Sequence, residues 1–281
     1  MGLMLRPNDV DVGTGMSQSR VRVTVDAQGV GEVVLVRADK MNALDPPMFD
    51  ALNAAIAQLQ QTPGLRAVVL HAEGRAFCAG LDMASFAAMG SGEGSVRDLL
   101  PRTHGDANAF QHVAWGWRRL PVPVIAAVQG VAYGGGLQIA LGADIRLCTP
   151  DARFSAMEIK WGIVPDMAGH ALTAGLVRGD HLRELVYTGR IVDAAEAVAL
   201  GLATRICADP LAEARALAGQ IATRNPQAVR AAKRLSNLLP QTSPEGVLEA
   251  EAREQQALIG SPNQVEAVAA ATARREPRFA D

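Results

Sequence analysis

Cysteine is scarce in this 281-residue chain. Cys78, Cys148 and Cys207 are an odd set without CxxC spacing, which argues against a disulfide framework or a structural zinc site and fits a reducing cytosol. None of the 5 histidines lies at metal-ligand spacing from another, so no metal site is expected. Excess charge is also missing: Lys plus Arg total 27 against 29 for Asp plus Glu, a net charge of −2, which gives no basic field for nucleic acid. The first twenty residues lack the apolar run of a signal peptide, and residues 1–17 are expected to form a flexible tail. A GxGxxG fingerprint and a Walker lysine are likewise absent.

One uncharged stretch, Leu120 to Ala143, is long enough to span a bilayer. Pro121, Pro123, Gln129, Gln138 and Gly134-Gly135-Gly136 would leave a lipid-exposed helix interrupted and its polar groups unsatisfied, so a buried strand followed by a buried helix is the better reading.

Alternation from Arg20 to Asp39 predicts a hairpin turning near Gln28-Gly29. Asp45-Pro46-Pro47 opens a helix with Met48, Leu52, Ala55, Ile56 and Leu59 on one face, and Pro63-Gly64 ends it. Apolar runs at 66–71, 122–128 and 144–148 predict buried strands. Residues 86–106 read as a long binding loop or lid, followed by a helix at about 107–119. Past Met167 the pattern is helical. Periodicity leaves open whether these helices complete the core or meet another subunit.

Two glycine turns follow buried strands, at residues 74–82 and 130–136. N–H groups at a helix start are unsatisfied, and glycine allows close approach, so the two turns together could offer two donors to one oxygen, as an oxyanion hole requires. Tight packing alone is the more frequent explanation of any single such turn. Cys78, behind an aromatic residue, reads as core rather than as a nucleophile. Glu158 lies among apolar residues and is suited to proton transfer if desolvated; an exposed Glu paired with Lys160 or an arginine is the plainer alternative.

The stretches Arg37-Ala38-Asp39-Lys40-Met41-Asn42-Ala43-Leu44, FCAGLD, YGGG and MEIKWGIVPD, in this order, resemble the enoyl-CoA hydratase/isomerase (crotonase) family over about residues 20–275. The resemblance implies an α/β fold, a crotonase-like spiral of repeated ββα units over residues 18–210, and a C-terminal helical trimerisation region over residues 211–281. It implies a cytoplasmic homotrimer or hexamer acting on acyl-CoA in fatty acid metabolism, with coenzyme A as part of the substrate and no separate cofactor, nucleic acid or membrane partner. The backbone at Met41, Ala43, Ala79, Leu81, Asp82, Met83 and Gly134 would frame the coenzyme, and the amides of Leu81 and Gly135 would bind the thioester oxygen. Where family members carry a coenzyme-binding lysine this chain has Ala84, leaving Arg37, Lys40 and Lys233 as candidates.

Hydratases of the family carry two glutamates. Glu158 matches one, but Gln138 stands at the other, and an amide orients a water or substrate without taking a proton. Asp166, eight residues after Glu158, matches a second acid of dienoyl-CoA isomerases, or else caps a helix beginning near Met167. The expectation is an enolate-forming isomerase with Glu158 as principal acid/base, Asp166 as partner and Gln138 beside them. Hydration, acyl-CoA binding without catalysis and thioester hydrolysis are the alternatives.

Overall fold

The computed structural model describes residues 19–90, 99–238 and 242–281; the expected tail lies outside them. The hairpin forms as anticipated, from β1 (Val21–Val25) and β2 (Val30–Leu35), with Asp26 accepting the N–H groups of Gln28 and Val30 and Gly29 at φ +81° closing the turn. Asp45 then caps α1 (Pro46–Gln60) by accepting the Met48 N–H, with two prolines in the first turn, where no donor is needed.

β3 (Ala67–Ala72) is buried throughout. The expected 86–106 loop is corrected at its start: α2 (Met83–Gly90) is helical, because Asp82 caps it, its carbonyl accepting from Ser85 and Phe86 and its side chain from Ala84. Residues 91–98 lie outside the described residues. Asn108 and Gln111 form a capping box that starts α3 (Ala109–Arg119).

The uncharged stretch resolves into β4 (Val124–Val128), β5 (Val131–Tyr133) and α4 (Gly135–Gly142), and no helix among the described residues is long and apolar enough to cross a membrane. The strands β6 (Ile145–Cys148) and β7 (Arg153–Ser155) lead through a 3-10 turn, Met157–Trp161, to α5 (Gly169–Thr173) and α6 (Gly179–Thr188). The chain continues with β8 (Val192–Asp193), α7 (Ala194–Leu200), β9 (Arg205–Ile206), α8 (Pro210–Ala222), α9 (Pro226–Leu238), α10 (Pro244–Leu258) and α11 (Pro262–Thr272).

The fold is mixed α/β. A six-stranded sheet runs β1-β2-β3-β4-β6-β9, parallel except for the β1/β2 pair, and a second sheet runs β5-β7-β8. Strand alternation explains why β3 and β4 read as continuous apolar runs. Val68, Leu70, Val124 and Ala126 face Leu52, Ile56 and Trp117 of α1 and α3, while Ala67, Val69, Ile125 and Ala127 face Ala214 and Ala218 of α8. The first of the C-terminal helices therefore covers a face of the main sheet. Burying both faces of these strands stabilises the fold by about 25 cal/mol per Å² of apolar surface removed from water.

Candidate active site

Glycine decides how the two sheets meet. The segment Phe77–Asp82 runs between two neighbours: Phe77 and Cys78 N–H groups donate to Gln129 and Val131 carbonyls, while Ala79 N–H donates to Met41. Leu44 pairs with Leu81 as a parallel bridge, in which Leu44 N–H donates to Gly80 and Asp82 N–H to the Leu44 carbonyl. In this parallel bridge Leu44 bonds the residues on either side of Leu81, so the Leu81 N–H itself faces away from Leu44. Gly135 is the first residue of α4 and its N–H has no intrahelical acceptor. Among the described residues neither N–H donates to a protein group.

The two segments pack closely. A Cβ on Gly80 would lie 3.8 Å from Gly135 N and 2.8 Å from the Tyr133 carbonyl oxygen. A Cβ on Gly134, at φ +50°, would lie 3.5 Å from Glu158 Oε1, and one on Gly136 would meet the Cys78 carbonyl at 2.3 Å. Three consecutive glycines thus bring the start of α4 against Glu158 on one side and the Leu81 segment on the other.

Glu158 sits on the 3-10 turn after β7 and is 6% exposed. The plainer reading of an exposed, ion-paired Glu is therefore corrected, and Lys160 instead lies over the Trp161 ring. Gln138 Nε2 donates to Glu158 Oε1 at 2.6 Å, and Gln138 Oε1 accepts from Met167 N–H at 2.8 Å and Gly169 N–H at 2.9 Å. Two backbone donors on one atom fix the amide's orientation. Glu158 Oε2 is buried without a partner. Burial pushes the Glu158 pKa above the usual carboxylate range, and the Asp166 charge adds to the rise. Its own backbone N–H, the Gln138 amide and the His170 charge oppose it.

Asp166 does not cap the following helix: α5 begins at Gly169, and its cap is Ala168, at φ 66°, with no side-chain cap bond. Asp166 is exposed as a residue, yet the protein mass around its carboxyl pushes its pKa up; its own backbone N–H opposes the rise.

Apart from Gly134, which lies beside Glu158, most of the residues expected to frame a coenzyme are tied to one another. Met41 and Asn42 take left-handed φ values of 50° and 53°, stabilised by Asn42, whose fully buried side chain bonds the Arg37 N–H and the Glu73 and Ala76 carbonyls. Met41 and Ala79 are joined by a backbone hydrogen bond, Ala43 and Asp82 by Arg37, and Met83 opens α2 with 62% of its surface exposed. Two of the cations proposed for the coenzyme are committed elsewhere. Arg37 bonds Ala43 O and Asp82 and pairs with Asp45, while Lys233 is buried against Trp117 O, Val122 O and Asp144. Their partners come from distant segments, which no local pattern announces. Lys40 is exposed and lowers the Asp82 pKa through its charge, so it is near Asp82. Cys78 is fully buried, with its thiol pushed up to about 12, as fits a core residue.

Sequence reading missed the aromatic contact that joins α2 to the 3-10 turn carrying Glu158: Phe86 stacks on Trp161 with ring centroids 4.7 Å apart. Only the 3.0-residue repeat of a 3-10 turn, which puts Trp161 on the face of Glu158, could have hinted at it.

The enoyl-CoA hydratase/isomerase family model matches residues 26–281. A Rhizobium meliloti protein named "Probable enoyl-CoA hydratase" is 33% identical over 259 residues, 91% of this chain and 96% of its own. A mitochondrial Delta(3,5)-Delta(2,4)-dienoyl-CoA isomerase of Dictyostelium discoideum is 29% identical over 218 residues, 74% of this chain and 73% of its own. The crystal structure of an enoyl-CoA hydratase from Bacillus anthracis matches with a TM-score of 0.82 at 27% identity, covering 92% of this chain and 98% of that one. With the family model spanning nearly all of the described fold, the chain belongs to the enoyl-CoA hydratase/isomerase family.

Proposed function

We propose that this enzyme moves a double bond in an enoyl- or dienoyl-CoA thioester through an enolate. The observation that carries the choice is Gln138. Both atoms of its amide are engaged, and an amide takes no proton, so the buried pair supplies one proton-moving group where water addition calls for two. Leu81 N–H and Gly135 N–H would hold the thioester oxygen. Their bonds strengthen as the oxygen gains charge, the differential binding that lowers a barrier. Glu158 Oε2, desolvated and unpartnered, would take a proton from the acyl chain, and Glu158 or Asp166 would return one to a more distant carbon.

The coenzyme would lie along Met41, Ala43, Ala79, Leu81, Asp82, Met83 and Gly134, with Lys40 at the rim. We also infer the family's ββα spiral, a cytoplasmic setting and a homotrimer or pair of trimers. Exposed Leu248, Ile259, Val265 and Val268 on and beside the last two helices support a subunit contact.

Incubation with crotonyl-CoA and with 3-enoyl- and 3,5-dienoyl-CoA, followed by product identification, tests the reading. Conjugated isomers are expected. Water addition alone would establish hydration, the activity in the printed names of several relatives. Release of free thiol would establish thioester hydrolysis. Tight binding without deuterium exchange beside the thioester would establish a binding protein.

A further inference from the structure

We infer that Arg37 is a positioning residue for the Leu81 amide donor, a side-chain clasp across the backbone bridge that aims that N–H. The inference rests on the enolate reading above. Leu81 is held from one flank by Leu44, and Arg37 ties together the neighbours of that pair: Nη1 donates to the Ala43 carbonyl at 2.8 Å and to Asp82 Oδ2 at 2.7 Å. Asp82 is thereby fixed from three directions. Its N–H donates to the Leu44 carbonyl, its Oδ1 accepts from Ala84 N–H, and its Oδ2 accepts from Arg37.

The far side of the guanidinium is anchored as well. Nη2 lies 3.3 Å from Asp45 Oδ2; Asp45 caps α1 and pairs with Arg20. The charges alternate along Arg20, Asp45, Arg37 and Asp82, and the last three side chains are only 12–15% exposed. A planar guanidinium that bridges two carboxylates and a carbonyl in a partly desolvated setting holds a fixed geometry better than a flexible ammonium does. A misplacement of about 1 Å at a catalytic donor costs roughly 100-fold in rate. With its charge already faced by Asp82 and Asp45 and its side chain only 12% exposed, Arg37 has little left for a phosphate, so its effect should fall on the chemical step and not on coenzyme affinity.

Deuterium exchange beside the thioester gives kcat and KM, and a conjugated dienoyl-CoA, whose absorbance moves to longer wavelength when its carbonyl is polarised, reports on the donors directly. In Arg37→Met the exchange kcat should fall at least tenfold with KM changed less than threefold, and the absorbance shift should shrink. Arg37→Lys should recover part of both. Asp82→Asn, nearly isosteric and safer for folding, should reproduce the loss, and the double variant should be no worse than the poorer single one, as for two residues acting as a unit. Unchanged kcat and shift in folded Arg37→Met and Asp82→Asn would overturn the inference, as would a rise in KM that accounts for the whole loss, the mark of a coenzyme contact. A wild-type protein that binds the dienoyl-CoA without any absorbance shift would remove the donor pair itself, and the inference with it.

Discussion

Replacing Gln138 with glutamate changes one atom's chemistry at nearly constant shape, and the surroundings dictate the outcome. The retained oxygen still accepts from Met167 and Gly169 N–H, so the new oxygen takes the place of Nε2, 2.6 Å from Glu158 Oε1. Two unit charges at that separation repel by about 6 kcal/mol at an effective dielectric constant of about 20. A proton's affinity changes by only about 1.36 kcal/mol per pH unit, so the pair keeps one shared proton across the neutral range. Gln138→Glu thus supplies the second proton-moving group that the wild-type Gln138–Glu158 pair lacks. Water addition to crotonyl-CoA, followed as loss of conjugated thioester absorbance, should rise about 100-fold or more over wild type, the low end of what one positioned acid/base contributes. Double-bond migration should change less than tenfold. A folded Gln138→Glu protein with no gain in hydration would refute the reasoning, as would a wild-type protein that already hydrates at the variant's rate.

Glu158→Gln should lose roughly 100- to 10,000-fold in exchange. Because the folded pKa of Glu158 is raised, its stabilisation is full below the ordinary carboxylate range and is lost as pH rises through the raised value; the melting temperature of Glu158→Gln relative to wild type should therefore climb over that interval, and a flat difference would count against a desolvated carboxylate. Cys78→Ala should keep exchange within about twofold while melting earlier by an amount matching about 1 kcal/mol, and the wild-type thiol should resist alkylation until the protein unfolds. Gly136→Ala drives a methyl group to 2.3 Å from the Cys78 carbonyl and should cost about 1–3 kcal/mol together with turnover. Gly219→Ala, inside α8 with open space around it, is the clash-free helical control and should leave stability unchanged or slightly raised.

Much of this architecture was legible from local chemistry. The Asp26–Gly29 turn, the Asp45 cap with its two prolines and the doubly covered β3 and β4 all follow from patterns within a dozen residues. Sequence allows the glycine turns to share one oxygen only on condition that the fold brings them together, and that condition lies beyond local patterning. What local patterning could not supply was partnership at a distance. The second sheet depends on strands of two or three residues, too short for any periodicity, and Arg37 and Lys233 look like free surface cations until Asp82 and Asp144 are folded against them. Gln138 was expected to orient water or substrate; instead two backbone N–H groups occupy its oxygen.

The uncharged stretch from Leu120 to Ala143 has a consequence during synthesis. β4 finds one neighbour, β3, already made, but its other edge waits for β6, and β5 waits for β7. A growing chain therefore emerges from the ribosome with a long greasy segment in which one edge of β4 and one of β5 stay unclaimed until β6 and β7, ending at Cys148 and Ser155, have appeared. Fragments ending before Ser155 should collect in inclusion bodies or on chaperones, and slowing translation there should lower the soluble yield of an otherwise intact enzyme.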